Sequence, residues 1–537
     1  MGYDDVVTLL GDFGRYQRRI HFLLCLPAIV CAFHKMGNVF LLAEADHRCF
    51  LDKYPNSSFI LSNEILNASI PWEEEKRKYS SCSMISGDAI VPCKKYVYDH
   101  RKYQSSAIFE WNLVCDKASF SAIGDAIFMV GVGLGSIIFG YLSDKFGRKI
   151  IFFMSLVVQL LFGIICGIAP EFWTFTLSRA IVGATTSGVF LVAYVIALEM
   201  VGPTKRMVAG TVCQMFFSTG YMLTAAFAYY ITDWRNLQIA LTVPGVFFLC
   251  YWWFIPESAR WLVSKNRVPE AVKLIQKAAK ENKVNVSDQH IEMLLKDDIR
   301  SKDPNVKTAT IFDVFRHPNL RRRSLIIFFD WFANSMTYYG LSWNTKNLGG
   351  NDYLNFVISG AVEIPAYTFL LFTLNRWGRK YLLCGCMITA GIALILTMAV
   401  PNSHQWLVVT LAMIGKLAIT SSYGTIYVFS TEQFPTVIRN VGLGAGSTSA
   451  RIGSVFAPLI NFTSVAWKPL PMVIFGCMAL IGGCLSLVLP ETLNRKLPET
   501  IEDGENFGKK KVETKVTLEE MQELNAVKTV EDLEGGN

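Results

Sequence analysis

The chain has 537 residues, of which 52% are hydrophobic, and its mean hydropathy is +0.32. This composition is too apolar for an ordinary soluble protein of this length. The formal net charge is +7, yet no basic patch interleaved with aromatic residues is present, so nucleic acid is not expected as a partner. The composition indicates an integral membrane protein.

Apolar stretches near the ~20 residues that cross a bilayer as a helix recur along the chain. We count twelve and predict an all-α membrane protein with twelve transmembrane helices, here called spans 1 to 12. They lie around 20–42, 121–142, 150–169, 173–198, 207–230, 236–255, 323–345, 353–374, 380–400, 404–431, 438–462 and 469–489.

The charges that flank span 1 predict the orientation of the chain. Arg15, Arg18 and Arg19 precede an apolar run that is long and lacks a small-residue cleavage site, so a cleaved signal peptide is not expected. The same arginines place the N-terminus in the cytoplasm. An even number of spans returns the C-terminal tail to the cytoplasm.

A long hydrophilic insertion at 43–119 follows span 1 and is expected to face outside. Cys49, Cys82, Cys93 and Cys115 lie in it, and an even count in an oxidising compartment predicts disulfides, with three pairings open. Asn56 and Asn67 begin glycosylation sequons within the same loop. The nine other cysteines lie in spans, where we expect them to pack as apolar residues.

Charge runs and apolar runs divide the chain into five segments, with a charged tail that we expect to be mostly disordered. No nucleotide-binding motif is present, so energy would come from gradients, and we expect no cofactor and no metal. The segments are a cytoplasmic N-terminus (1–19), a first six-helix bundle (20–255), a cytoplasmic linker (256–322), a second bundle (323–489) and a cytoplasmic tail (490–537).

The segment Gly140–Lys149 occupies the short turn between spans 2 and 3 and reads G-x-x-x-D-K-x-G-R-K. It resembles the corresponding cytoplasmic turn of the major facilitator superfamily. Leu374–Lys380 after span 8 echoes it, with Asn375 in the place of Asp144. Because a second pair of segments (199–206 and 432–439) also recurs six spans apart, we predict two parallel six-helix halves with substrate between them.

Charged residues in these repeated segments are expected to form cytoplasmic bridges that hold an outward-facing state. They would break and re-form as the two bundles rock in alternating access. The residues assigned to this gate are Asp144, Arg148, Glu199, Arg206, Arg379, Glu432 and Arg439.

Beyond the fold, the chain resembles solute carrier family 22, the organic cation, anion and carnitine transporters. The resemblance rests on the cysteine-bearing loop with its exit Glu110–Asp116 and on Pro256–Trp261 after span 6. Gly2–Arg19 and Ala184–Tyr194 are similar to insect organic cation transporters. The resemblance implies a multi-pass plasma-membrane carrier of small organic ions.

Three ionisable residues fall deep within spans, where a charge costs at least ~2.5 kcal/mol unless it faces a cavity or a partner. Glu363 would attract a substrate ammonium, while Arg451 or Lys416 would take a carboxylate or another anion. The alternative is that Glu363 pairs permanently with a basic neighbour and only holds helices together. Within the family that the chain resembles, an acid at 363 matches cation carriers, whereas arginine at 451 matches anion and carnitine carriers.

Aromatic and polar side chains at helical spacing supply the rest of the predicted site. Facing rings would enclose a quaternary ammonium or a flat substrate, each cation–π contact contributing ~0.5–2 kcal/mol. Packing against lipid or neighbouring helices is the alternative. The candidates are Tyr338, Tyr339, Trp331, Phe190, Tyr194, Tyr423, Tyr427 and Gln214.

The sequence therefore predicts a transporter that moves organic cations or zwitterions, such as quaternary ammonium and carnitine-like compounds. An organic anion carrier or exchanger that uses Arg451 and Lys416 is the alternative, and a sugar porter or a non-transporting receptor is more remote. An enzyme is not expected, since no nucleophile–base pair is evident. Uniport, sodium or proton coupling and exchange against a counter-substrate are all compatible with these residues, and membrane lipid is the expected surrounding.

Overall fold

The computed structural model describes residues 3–52, 59–74, 78–300 and 311–508, and helices dominate these ranges. The α-helices are α1 (Tyr3–Leu9), α2 (Arg15–Cys25), α3 (Pro27–Met36), α4 (Asn38–Leu41), α5 (Asn63–Ser69), α6 (Ala107–Glu110), α7 (Ser119–Phe146), α8 (Arg148–Gly167), α9 (Phe172–Glu199), α10 (Arg206–Tyr230), α11 (Trp234–Thr242), α12 (Ala259–Ser264), α13 (Val268–Asn282), α14 (Asp288–Arg300), α15 (Ile311–Arg316), α16 (Pro318–Trp343), α17 (Asp352–Ala361), α18 (Glu363–Trp377), α19 (Arg379–Leu396), α20 (Gln405–Gln433), α21 (Arg439–Phe462), α22 (Leu470–Ser486) and α23 (Ile501–Asn506).

Seven helical segments are long and apolar enough to cross a membrane. They are Arg15–Leu41, Cys115–Phe146, Arg148–Gly167, Phe172–Glu199, Asp352–Trp377, Arg379–Ala399 and Gln405–Gln433. The other five predicted spans are also helical, as α10, α11 with its extension, α16, α21 and α22. The chain is thus a multi-pass membrane protein with helices at all twelve predicted positions.

Span 6 departs from a regular α-helix. After α11 the chain continues as a 3₁₀ helix over Val243–Trp253. Pro244 lies at its start, and proline lacks the N–H of an α-helical hydrogen bond and its ring clashes with the preceding turn. Span 1 is likewise interrupted, at Pro27 and at Gly37.

The insertion between spans 1 and 2 forms three small two-stranded antiparallel sheets, which the all-α prediction did not include. Two disulfides hold it, Cys49–Cys93 and Cys82–Cys115. Asn67 is exposed on α5, whereas the sequon at Asn56 lies outside the described residues. The strands pair as β1 (His47–Cys49) with β6 (Tyr96–Tyr98), β2 (Trp72–Glu73) with β3 (Lys78–Tyr79) and β4 (Ser83–Ser86) with β5 (Ala89–Pro92).

The two halves each contain six helical segments, within residues 15–253 and 318–486. The halves pack together where α7 contacts α21 and where α10 contacts α17 and α18. Within the first half, α7 lies very close to α9, because an added Cβ at Gly131 or Gly135 would overlap the α9 backbone. We call the end that bears the disulfide-linked insertion the loop end. The opposite end, which bears the turns at Gly147 and Gly378, is the turn end.

The two turns at the turn end are built alike. Gly147 has φ +112° and Gly378 has φ +91°, a region that glycine adopts without steric cost. At the first turn, the Glu257 carboxylate accepts hydrogen bonds from the backbone N–H groups that begin α8; at the second, Glu491 does the same for α19. The halves therefore repeat in their contacts as well as in their motifs.

The segment that joins the halves carries α12 to α15. Its residues 301–310, like 509–537 of the tail, lie outside the described residues. Beyond span 12 the chain contacts the second half, since Glu505 accepts hydrogen bonds from the backbone N–H groups of Asn319 and Leu320.

Candidate functional site

Glu363 begins α18 at the junction of the two halves, and it is fully buried. Ser218 of α10 donates a hydrogen bond to its carboxylate at 2.7 Å, and Tyr338 of α16 donates another at 2.7 Å. Ser218 belongs to the first half and Tyr338 to the second. One carboxylate thus connects both halves at the centre of the molecule.

Lys416 of α20 is the charge partner of this carboxylate. Its ammonium lies 3.1 Å from the Glu363 oxygen, and both side chains are at most 1% exposed. Lys416 also donates to the Ser342 hydroxyl and lies 3.5 Å from the centre of the Tyr338 ring. The pairing anticipated as the alternative role of Glu363 is therefore the arrangement that the structure contains.

Arg451 of α21 stands apart from that pair. Within the described ranges no carboxylate lies within ion-pair distance of its guanidinium, and its Nε has no hydrogen-bond partner. It interacts electrostatically with the phenols of Tyr339, Tyr423 and Tyr427. The structure thus assigns different surroundings to the two candidate cations, Lys416 neutralised by Glu363 and Arg451 without a carboxylate.

The predicted aromatic residues of the second half form one continuous cluster around these charges. The ring of Tyr338 lies 5.1 Å from that of Tyr339 and 5.7 Å from that of Tyr423. Trp331 packs edge-on against Tyr427 at 4.4 Å, and Tyr427 keeps 43% of its surface exposed. Aromatic side chains of spans 7 and 10 thus form a continuous wall, and the end of this wall at Tyr427 is exposed.

The predicted residues of the first half lie on the facing helices α9 and α10. Phe190 and Tyr194 stack with ring centres 6.1 Å apart, and Gln214 is half-buried on α10. Phe190 also packs against Phe217 at 5.9 Å. The candidates of the first half are therefore grouped, but they form a second wall and not a closed box with the tyrosines.

Lys35 of α3 was missed at the sequence level. It is 7% exposed, and its ammonium lies 5.8 Å from the ring centres of both Phe190 and Phe217. The available signal was a lysine inside the apolar run 20–42, the same signal that identified Lys416. A buried charge therefore also lies in the first half, beside Phe190 and Phe217.

Two further buried charges in spans were also overlooked, and the structure gives them supporting contacts. Arg179 of α9 donates to the backbone carbonyl of His34 at 2.8 Å and stacks over the Phe128 ring. Asp330 of α16 accepts a hydrogen bond from Ser486. Each joins two spans of one half, which is a structural role.

Most of the residues assigned to the gate form ion pairs at the turn end. In the first half, Arg148 pairs with Asp144 and with Glu199, the latter at 3.5 Å; in the second, Arg379 pairs with Glu432 at 3.1 Å. These pairs each lie within one half, and the bridges expected in an outward-facing state stay a prediction.

Arg206 and Arg439, also assigned to the gate, have the following surroundings in this structure. Arg206 binds Asp4, because α1 packs against the start of α10. Arg439 forms no ion pair with any described residue, and its Nε is buried without a partner. Asn375 cannot replace Asp144 as an ion partner, and Arg379 donates instead to the Leu374 carbonyl.

Ion pairs between the halves are found at the loop end. Lys346, which follows α16, lies 2.6 Å from Glu44, which follows α4. Lys102 of the insertion pairs with Asp352 at the start of α17. The Lys346 ammonium lowers the pKa of the Glu44 carboxyl, which keeps this pair ionised. The insertion thus contacts both halves and closes the loop end.

One group at the loop end has the side-chain types of a metal site, namely His47, Cys82 and Cys115. The two cysteines are joined to each other in a disulfide, which removes both thiolates as ligands. This group therefore does not form a metal centre.

Comparison with known proteins shows which family the chain is similar to. Residues 81–503 match the family described as sugar (and other) transporter. An "Organic cation transporter protein" of Drosophila melanogaster is 59% identical over 528 residues, covering 95% of this chain and 96% of that protein. "Solute carrier family 22 member 21" of Mus musculus is 35% identical, covering 95% and 94%.

Among solved structures, the proton:xylose symporter XylE superposes with a TM-score of 0.61 at 18% identity. The match covers 91% of this chain and 98% of the symporter. At that identity the likeness shows the fold alone, which is that of the major facilitator superfamily.

Proposed function

The chain belongs to the sugar (and other) transporter family and, within it, to solute carrier family 22; from this premise we propose that it carries organic cations or zwitterions across the plasma membrane. The observation that carries the proposal is Glu363, a buried carboxylate that connects both halves beside a wall of tyrosines. A transporter of this fold is not an enzyme.

The chemistry of the site suits a substrate that bears an ammonium group. Tyr338, Tyr339 and Tyr423 offer ring faces, and the Glu363 carboxylate offers a negative charge in a site from which water is excluded. A cationic substrate would take the place of the Lys416 ammonium on Glu363. Lys416 has two other acceptors, the Ser342 hydroxyl and the Tyr338 carbonyl, so its release is not prohibitive.

Alternating access follows from the position of the site between the halves. The ion pairs Lys346–Glu44 and Lys102–Asp352 close the loop end, which we assign to the outside of the cell, with both termini in the cytoplasm. Opening to the outside would break these pairs. The residue pairs at the turn end would then stabilise each half as a rigid body while the halves rock.

The central charges argue against the remote alternatives. A sugar porter would need amide and indole groups at its centre, whereas Glu363, Lys416 and Arg451 are ionic. An organic anion carrier is the second candidate, and the observation that favours it is Arg451, which lacks a carboxylate partner among the described residues.

Uptake into cells that express the chain tests the proposal. Labelled tetraethylammonium, carnitine and para-aminohippurate are compared with and without sodium, against cells that lack the chain. We expect tetraethylammonium or carnitine to accumulate, and Glu363→Gln to reduce that uptake at equal surface expression. Accumulation of para-aminohippurate alone would contradict the proposal, and the sodium arm identifies the coupling.

A further inference from the structure

An apolar groove lies on the surface of the first half, between span 3 and span 6. Its volume is ≈ 510 Å³. On the span 3 side, Ile150, Met154 and Val157 recur at the spacing of one face of α8, and each is at least 41% exposed. Exposed apolar side chains within a span face the hydrocarbon of the bilayer, so the groove opens toward lipid.

The irregular course of span 6 forms the other side of the groove. Residues three apart lie one above the other on a 3₁₀ helix, which aligns Leu249 with Trp252 along it. Phe153 of α8 forms the floor, since it is only 6% exposed and packs edge-on against Trp252 with ring centres 5.1 Å apart. The groove thus runs along about two turns of α8, a shape that suits a flexible hydrocarbon chain.

Lys149 places a positive charge at the turn end of this groove. It directly precedes Ile150, and its ammonium lies 4.8 Å from the centre of the Trp252 ring. Lys149 forms no ion pair with any residue in the ranges that the structure describes. Glu257 lies within electrostatic range, but its carboxylate accepts hydrogen bonds from the backbone N–H groups that begin α8. The ammonium is therefore available to an anion beside the groove.

We propose that this groove binds one anionic phospholipid, with an acyl chain between spans 3 and 6 and the headgroup phosphate on Lys149. The proposed orientation places Lys149 at the cytoplasmic leaflet, where anionic phospholipids are enriched. Trp252 and Trp253 lie beside it, as is typical of tryptophans at the level of lipid headgroups.

The same geometry disfavours a lipid with a choline headgroup. Lys149 covers the face of Trp252 that a choline group would contact, and the two positive charges would repel each other. The inference goes beyond the proposed function. It uses the orientation given there and no property of the substrate.

Thermal unfolding of the purified chain in detergent tests the site. Phosphatidylserine, phosphatidylcholine with the same acyl chains, and cholesterol are added separately, and each variant is compared with its own lipid-free sample. The variants are Lys149→Gln, Lys149→Arg and Val157→Trp, the last of which would fill the groove. Lys380→Gln is the matched control, because Lys380 holds the same place at the start of α19 and lies over the ring of Tyr381. Native mass spectrometry counts the phosphatidylserine molecules that each variant retains.

Phosphatidylserine should raise the unfolding temperature about 3–5 °C more than phosphatidylcholine does, the effect of a ligand present at about tenfold its Kd. Lys149→Gln should lose this difference and retain one phosphatidylserine fewer, whereas Lys149→Arg and Lys380→Gln should keep both. Val157→Trp should weaken the response to both phospholipids, because the acyl chain loses its place.

Three results would overturn the site. Equal stabilisation by the two phospholipids would remove the role of the charge, and greater stabilisation by cholesterol would assign the groove to a sterol. An undiminished preference for phosphatidylserine in Lys149→Gln, or an equal loss in Lys380→Gln, would show that Lys149 does not hold the headgroup. None of these measurements uses transport, so failure of this inference is distinguishable from failure of the proposed function.

Discussion

At the scale of single residues, one ion pair is buried so deeply that water could not replace either member if it were removed. Glu363 and Lys416 are both at most 1% exposed, and hydrogen bonds from Ser218 and Tyr338 complete the coordination of the carboxylate. Removal of one member of a buried pair leaves an uncompensated charge, whereas removal of both is much less costly.

We therefore expect Lys416→Met to destabilise the protein by about 3–5 kcal/mol. The double variant Glu363→Gln/Lys416→Met should regain most of that stability, because no buried charge remains. Thermal unfolding of the purified protein in detergent measures both, with Lys468→Met as an exposed control. A Lys416→Met variant as stable as wild type would contradict the buried pair.

The sequence predicted which charges lie inside the membrane better than it predicted their partners. Glu363, Lys416 and Arg451 were found because a charge interrupts an apolar run, and Lys35 carries the same signal. Glu363 pairs with Lys416 and not with Arg451 because of the way α18, α20 and α21 are rotated about their axes. A single sequence does not contain that information.

At the scale of elements, each half has one tight turn whose glycine and capping glutamate act together. Gly147 has φ +112° and the cap of α8 comes from Glu257; Gly378 has φ +91° and the cap of α19 comes from Glu491. Burial raises the pKa of Glu257, although backbone N–H groups favour its ionised form. Each glutamate lies in a proline–glutamate motif that the sequence places just after span 6 or span 12.

Replacement of the first turn glycine tests this arrangement. Gly147→Ala should cost about 1–3 kcal/mol, because alanine disfavours this φ and its Cβ would lie 2.6 Å from a Glu257 oxygen. Gly385→Ala in α19 is the matched control, since an added Cβ there meets open space. Thermal unfolding and uptake are compared for both variants. Equal behaviour of the two variants would count against the cap.

Hydropathy predicted the positions of the regular helices, but it did not predict the irregular segments. Helices occupy all twelve predicted positions because a bilayer requires long apolar runs. The 3₁₀ course of Val243–Trp253 was not foreseen, although Pro244 pointed to it. The strands of the insertion were missed because strands of two to four residues show too little alternation to be recognised.

At the scale of the whole molecule, the ion pairs found between the halves among the described residues lie at the loop end. Beneath them is a polar cavity of ≈ 30 Å³, lined by Val39, Asp125, Trp343 and Lys346, among others. The two halves were predicted from repeated motifs, but contacts between them were not, because each bridge joins residues hundreds of positions apart.

If the ion pairs at the loop end are weakened, a reagent outside the cell should reach the residues beneath them more easily. The test uses a Val39→Cys background in which the exposed native cysteines are replaced. In this background we expect Lys346→Gln to accelerate labelling at position 39 by an impermeant thiol reagent about two- to fivefold. That factor corresponds to one solvent-exposed ion pair. Lys468→Gln serves as the control, since Lys468 is exposed and forms no ion pair with the described residues. Unchanged labelling would argue that the ion pairs do not hold this end closed.

The account as a whole depends on a substrate site that is exposed alternately on the two sides of the membrane. Counterflow into liposomes that contain the purified chain tests this most directly. Liposomes loaded with unlabelled tetraethylammonium or carnitine should take up the labelled compound transiently and faster than empty ones, and Glu363→Gln should reduce the excess. Equal uptake by loaded and empty liposomes, or uptake indifferent to Glu363, would contradict a carrier with this central site.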